Sequence, residues 1–450
     1  MSQLRRLRSA WIACALILAA MPGLGQNNGP AVPADGPLTI DTAVEIALAN
    51  HPLVGIAQRS VDSAGGALTQ ARSGLLPSLD VRSDYSRSMS SGSAVVNGVP
   101  IAGGATKNFS TQYNSSISAS QLVYDFGRTS DDIRSSRFRA NARSYDLAQT
   151  EDDVINNARQ AYLVLLTNEE LLEVARYRVR LQEETLRIAQ GQFVGGLVPE
   201  ADTAKAESAL ASAVLDVASA ANAVSLAQIN LNSALGIDVR TSYDVVAPDE
   251  PDTLGLTLDE LIDIAMADRP ELLATRAQTD AARADLAAAR KGQRPSVNAS
   301  ASYGRRDDSL LPQRDYWNLG VSLNANLFDG KFTKGRQVQA RANHETSLDT
   351  EYQLEQIVAL ETAQSVVEMD TAREEMGASD VSIRSAQQDL RLANGRYAEN
   401  VGILLEILDA QAALTSAQAD LARARFGYRA AFYALERAIG IEIADAIAPE

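Results

Sequence analysis

Side chains that carry chemistry are scarce in this sequence. Its one cysteine is Cys14 and its two histidines are His51 and His344, in 450 residues. A single thiol excludes a disulfide framework. Two isolated histidines exclude the usual zinc spacings, so each is expected to be satisfied or solvated on a helix end or face. Neither a G-x-x-x-x-G-K-[ST] phosphate loop nor a serine nucleophile elbow occurs, so the chain supplies no nucleotide energy and no such catalysis of its own. No metal, cofactor or enzymatic activity is expected. Aromatics are 5% of residues, too few for a thick globular core. Basic residues are the minority, 41 against 57 acidic, with a formal net charge of −16. Binding to nucleic acid requires the opposite balance.

What is present begins with a targeting pattern at residues 1–25. Arg5, Arg6 and Arg8 precede an apolar run from Ala10 to Ala20, and Gly23 and Gly25 lie just before Gln26. That order reads as a secretion signal that is removed, and its apolar run is too short to span a bilayer. Cys14 falls inside the run, with Trp11-Ile12-Ala13 before it, which is the wrong place for a lipid anchor.

An internal duplication organises the remainder. Leu38-Thr39-Ile40-Asp41 and His51-Pro52-Leu53 recur as Leu256-Thr257-Leu258-Asp259 and Arg269-Pro270-Glu271-Leu272. Further on, Tyr124-Asp125 matches Phe328-Asp329, and Leu235-Gly236-Ile237 matches Ile439-Gly440-Ile441. The expected organisation is an N-terminal segment 26–37, a first repeat 38–237, a linker 238–255, a second repeat 256–441 and a tail 442–450. Each repeat reads as two short helices, a strand pair (about 77–126 and 295–328) and a helical hairpin (about 128–235 and 331–439). The offset between copies changes within the Ser/Gly-rich stretch Ser90 to Lys107, which reads as a long exposed loop.

The strands alternate with period two. Trp317, Leu319, Val321, Leu323, Ala325 and Leu327 interleave with Asn318, Gly320, Ser322, Asn324 and Asn326, as a strand between two different solvents requires. The other segments repeat this less cleanly. Half of a soluble β-sandwich fits alternation alone. Membrane-crossing length, aromatics near segment ends (Tyr85, Tyr124, Phe126, Trp317, Phe328) and export favour a transmembrane barrel. Four strands cannot close a ring and an open edge in lipid is costly, so a barrel would have to be shared between subunits.

From Arg128 to Gln190 there is neither proline nor glycine, enough for a helix of roughly 100 Å. Positions 154, 158, 161, 165, 168, 172, 175, 179, 182, 186 and 189 follow the four-three spacing of a coiled-coil seam. The second copy, from Lys331 to about Ala398, is as long, with Gly335 and Gly377 as candidate bends. A soluble coiled-coil stalk, structural or adhesive, is the competing reading.

The duplicated plan resembles the TolC family of outer-membrane efflux channels. Leu75-Leu76-Pro77-Ser78-Leu79, Tyr124-Asp125-Phe126-Gly127, Phe193 to Asp202 and Tyr397 to Gln411 carry the resemblance, which covers Leu38 to Ile441. It implies a mixed α and β membrane protein of the Gram-negative outer membrane. Three chains would form a twelve-stranded β-barrel, four strands each, continuous with a long coiled-coil α-barrel in the periplasm. A periplasmic adaptor (membrane fusion) protein and an inner-membrane transporter of ABC or RND type are the implied partners, beside membrane lipid. By position, Glu406 and Asp409 match the constriction carboxylates. Asp202 and Tyr397 match the links that close the tunnel. The adaptor-contacting hairpin tips fall at Gly195, Gly196, Leu197, Val401 and Gly402. Gly402 stands where the family's basic latch residue would fall and cannot form an ion pair, which leaves a Tyr397–Asp202 hydrogen bond. Lack of a lipid anchor leans toward the type I secretion branch, and the cargo, drugs, metal ions or polypeptides, stays open.

Overall fold

The computed structural model describes residues 37–96, 99–249, 255–308, 314–399, 401–441 and 443. The expected signal segment 1–25, Asn400 and most of the expected C-terminal tail lie outside these residues. The first copy contains α1 (Ile40–Asn50), α2 (Pro52–Ser73), β1 (Ser78–Val96), β2 (Val99–Tyr124), α3 (Arg128–Val194) and α4 (Glu200–Ala234). The same order recurs as α5 (Leu258–Asp268), α6 (Pro270–Arg290), β3 (Ser296–Asp307), β4 (Arg314–Asn324), α7 (Phe332–Ala398) and α8 (Leu404–Ile439).

Local chemistry sets each start. Thr39 caps α1 and Thr257 forms a capping box with Glu260 on α5. Pro52 and Pro270 occupy the first turns of α2 and α6, where a missing N–H costs nothing. His51 caps α2 by accepting the Leu53 N–H at 3.3 Å. Where β2 turns into α3, the buried Asp125 carboxylate accepts from Gly127 N at 3.0 Å and Thr129 N at 2.8 Å. Asp329 does the same for Thr333 N at 2.9 Å before α7.

The long helices α3 and α7 each run 67 residues, and α7 is one helix through Gly335 and Gly377. Next to the sheet, α2, α3, α6 and α7 pack in the order of the strands they adjoin. At the far end α4 and α8 replace α2 and α6, so the order becomes α4, α3, α8, α7. Every seam position named above on α3 is buried or half-buried. Three apolar clusters hold the helices. Two lie midway, around Tyr162, Leu165 and Leu231 and around Val358, Leu435 and Ile439. The third lies at the hairpin ends, around Tyr397, Leu404, Ile407 and Leu414. The linker is tied down rather than loose. The Tyr162 hydroxyl lies 2.6 Å from the Leu38 carbonyl and 2.7 Å from that of Val246, and Asn232 donates to Val239 O at 3.0 Å and Thr241 O at 2.8 Å.

The sheet is antiparallel with order β1-β2-β3-β4. One expectation needs correction. Ser90 to Lys107 is not a loop, because the ladder continues through Ser90↔Asn108 and Ser93↔Ala105 to Val96↔Val99. Serine, threonine and valine are compatible with an extended edge, and the two residues left between Val96 and Val99 are Asn97-Gly98, a strong hairpin signal in sequence.

Candidate functional site

The first candidate surface is the sheet. Residues opposite each other in an antiparallel ladder share a face, so the register sorts side chains into rows. Leu79, Ala119, Ala301 and Leu319 form one row across all four strands, and Val81, Ile117, Tyr303 and Trp317 form the next on that face. The other face carries Asp80, Ser118, Ser302 and Asn318, then Asp84, Asn114, Arg306 and Arg314. Leu79, Val81, Trp317 and Leu319 are 72–77% exposed. In a sandwich these side chains would face a second sheet, and no described element covers them. β1 and β4 are both open edges, with backbone groups free to pair.

The second candidate is the pair of hairpin tips. The α3–α4 tip is a Schellman closure: Leu197 N donates to Gln192 O and Gly196 N to Phe193 O, both at 2.9 Å, with Gly196 at φ +71°. Around it Phe193, Val194 and Leu197 are exposed, as are Val401 and Ile403 at the other tip. There Val401 N and Gly402 N both donate to Arg396 O at 2.9 Å. A Cβ on Gly402 would lie 2.9 Å from Arg396 Cβ, so glycine is what lets the turn close.

The structure brings the expected constriction residues to this same end, with two differences. Asp409 is exposed on α8, but Glu406 is already engaged: Arg396 Nε lies 3.1 Å from its Oε2. The cation sits six residues before the position where a family latch residue would fall, because the hairpin folds Arg396 back over the first turn of α8. Sequence position alone missed it. A pair ten residues apart across a turn has no helical spacing to reveal it. Tyr397 is buried, and its hydroxyl makes no hydrogen bond with a described residue. The Tyr397–Asp202 hydrogen bond is therefore not formed in this state. Burial raises the Tyr397 pKa and the negative charge of Asp202 raises it further. Near this end the two hairpins are joined by Gln411, whose amide donates to Thr185 Oγ1 at 2.9 Å.

No cluster of three or more metal-ligating side chains occurs among the described residues. A two-faced sheet with open edges, mounted on helical hairpins about 100 Å long, defines the outer-membrane efflux channels as the class of protein. The chain belongs to the outer membrane efflux protein family, whose model matches residues 43–237 and 261–441, and within it is TolC-like. It is 24% identical over 413 residues to the pyoverdine export outer membrane protein OpmQ of Pseudomonas aeruginosa, covering 90% of this chain and 86% of that one. It is 22% identical over 385 residues to the outer membrane protein TolC of Escherichia coli, covering 82% and 75%. The outer membrane channel CmeC of Campylobacter jejuni has the same fold, with a TM-score of 0.77 at 20% identity over 89% of this chain and 85% of that one. This is an outer-membrane protein with a large periplasmic helical portion, and members of its family are channels rather than enzymes.

Proposed function

We propose that three copies of this chain join β4 to β1 around a ring, making a twelve-stranded barrel continuous with a helical tunnel, and that this trimer passively conducts cargo out of the cell. The observation that carries the reading is the exposed apolar face of the sheet, continuous over four strands. Lipid covers such a face at no cost, whereas water makes it expensive at roughly 25 cal/mol per Å². Ring closure satisfies the two open edges, each unpaired group of which costs several kcal/mol in hydrocarbon. α4 is long and apolar enough to cross a membrane. It lies along α3, however, so its exposed Val214, Leu215 and Leu226 are surfaces for a neighbouring copy.

The tapered end would hold the constriction, with Asp409 as the free carboxylate and Glu406 held by Arg396. Asp202 and Tyr397 would link the hairpins when the end is shut. The tips at Gly195, Gly196 and Leu197 and at Val401 and Gly402 would receive the periplasmic adaptor, below which an ABC or RND transporter supplies energy. Cargo is a small toxic molecule or a polypeptide, after residues 1–25 have been removed. The test is extraction from membranes followed by heat-modifiable migration and single-channel conductance in bilayers. A water-soluble monomer without conductance overturns the proposal.

A further inference from the structure

Charge is distributed unevenly along this acidic chain. The four segments where the sheet passes into helices, residues 69–77, 125–136, 287–295 and 325–336, hold nine basic residues and four acidic ones, against 41 and 57 in the whole sequence. All four acids are engaged. Asp125 accepts from Gly127 N and Thr129 N, and Asp329 from Thr333 N. Asp131 pairs with Lys291 and Arg134. Asp132 and Asp329 share a recess with Arg128 and Arg336, where the charges balance. Arg72, Arg290, Arg294, Lys331 and Lys334 are exposed, and none of them forms an ion pair with a carboxylate among the described residues.

This basic end borders the apolar face of the sheet. Val297 and Leu323 end the apolar rows, with Tyr124 opposite Val297. Phe126 packs on Tyr124 with ring centroids 4.9 Å apart, and the Arg294 guanidinium lies 5.5 Å from the centroid of the Phe126 ring. Leu76, Leu327 and Phe328 are exposed at the same end. The surface therefore passes from aliphatic to aromatic to basic within a few residues. A lipid leaflet has the matching profile, hydrocarbon first and charged headgroups beyond it. Arginine and lysine suit such a border, because their methylene stems follow the apolar surface while the charge reaches outward.

We propose that this end of the sheet carries a docking collar for anionic phospholipid headgroups of the leaflet facing the periplasm, engaged by Arg294, Lys331 and Lys334. The collar rests on the channel reading above, which puts hydrocarbon against the apolar face. A lipid phosphate supplies the counter-charge that the chain's own carboxylates do not. A soluble anion would call for donors converging on a closed recess, whereas these cations follow the rim of a surface turned to lipid. Headgroups held there would fix the depth of the barrel, so that the long helices begin at the membrane surface.

The experiment reconstitutes the full-length protein in phosphatidylcholine bilayers at ~0.02 M KCl, where screening is weak. It compares the protein's contact with spin-labelled phosphatidylglycerol and with spin-labelled phosphatidylcholine. The wild type should prefer the anionic lipid by at least about twofold. Arg294→Gln with Lys331→Gln and Lys334→Gln should abolish the preference, and Arg294→Lys with Lys331→Arg and Lys334→Arg should keep it. Arg82→Gln with Arg306→Gln and Arg314→Gln removes the same charge from the polar face of the sheet and should also keep it. No preference in the wild type, one that survives loss of the three collar cations, or equal losses in the two charge-removing variants overturns the collar. Inorganic phosphate should weaken the preference no more than chloride of equal ionic strength. A selective loss in phosphate assigns the cations to a soluble anion and overturns the collar too. A protein that stays in water, yet floats with phosphatidylglycerol vesicles only while the three cations are present, upholds the collar and overturns the channel reading instead. One that stays in water and floats with neither lipid overturns both.

Discussion

Arg396 of α7 reaches across the second hairpin tip to Glu406 of α8, with Nε 3.1 Å from Oε2 and Nη2 3.5 Å from Oε1. The arginine side chain is 59% exposed and the glutamate 40%. Such a pair adds little to stability, typically under ~1 kcal/mol. In the constriction proposed above its consequence would be electrostatic, because Glu406 would be partly neutralised and Asp409 would be the unpaired carboxylate facing a passing cation. Arg396→Ala should free Glu406 and strengthen block by a trivalent cation from the periplasmic side several-fold. Asp409→Ala should weaken that block more than Glu406→Ala does. Equal block in all of these variants excludes both carboxylates from the constriction.

Midway along the helices, Arg159 Nη1 contacts Glu436 Oε2 at 2.9 Å with side chains only 14% and 10% exposed. Glu436 also accepts the Ile443 N–H at 3.0 Å and so fixes the end of α8. Removing one member of a buried pair leaves an uncompensated charge, at about 3–5 kcal/mol. Glu436→Ala should therefore lower the thermal midpoint far more than Glu184→Ala, whose partner Arg187 is on the same exposed helix face. Comparable midpoints for the two variants contradict the claim.

Asp152 gives a pH dependence with a definite sign. Burial, reinforced by Asp153 and Glu151, pushes its carboxyl from 3.8 up to about 6. The unfolded chain ionises first, so the folded state loses stability as pH rises from about 4 to about 6, and the loss is complete above that window. Asp152→Asn removes the penalty. After allowance for solvent screening it should stabilise the protein by about 1 kcal/mol at pH 7.5. The advantage should shrink steadily toward pH 4.5, and melting curves at several pH values measure it. A constant advantage would assign the effect to packing.

Two glycines mark equivalent joints of the duplication. Gly236 ends the first hairpin at φ +68° with a virtual Cβ 2.9 Å from Asn50 O, and Gly440 ends the second at φ +81° with one 2.8 Å from Arg269 Cα. Each hairpin therefore lands against the corner between its own repeat's two short helices. Gly440→Ala adds backbone collision to left-handed strain and should cost about 3 kcal/mol or more. Gly196→Ala, with nothing within 4 Å, should cost only about 1–2 kcal/mol. Urea midpoints should rank the two accordingly.

Period-two alternation in Tyr316 to Phe328, the four-three seam of α3 and the duplicated turn signals were all readable along the chain. Each is a local, periodic consequence of which solvent a side chain meets. The sequence by itself therefore determined the order of elements and the presence of two unlike faces on the strands. Register and close approach were decided only in three dimensions. A one-residue slip would exchange the two faces, so nothing local specified that Arg306 opposes Arg314. The charged partner of Glu406, the unbonded hydroxyl of Tyr397 and the extended hairpin beyond Ser90 likewise depend on contacts between residues that no periodicity relates. Helical and strand periods report an environment. Which partner fills that environment is settled when the chain returns on itself.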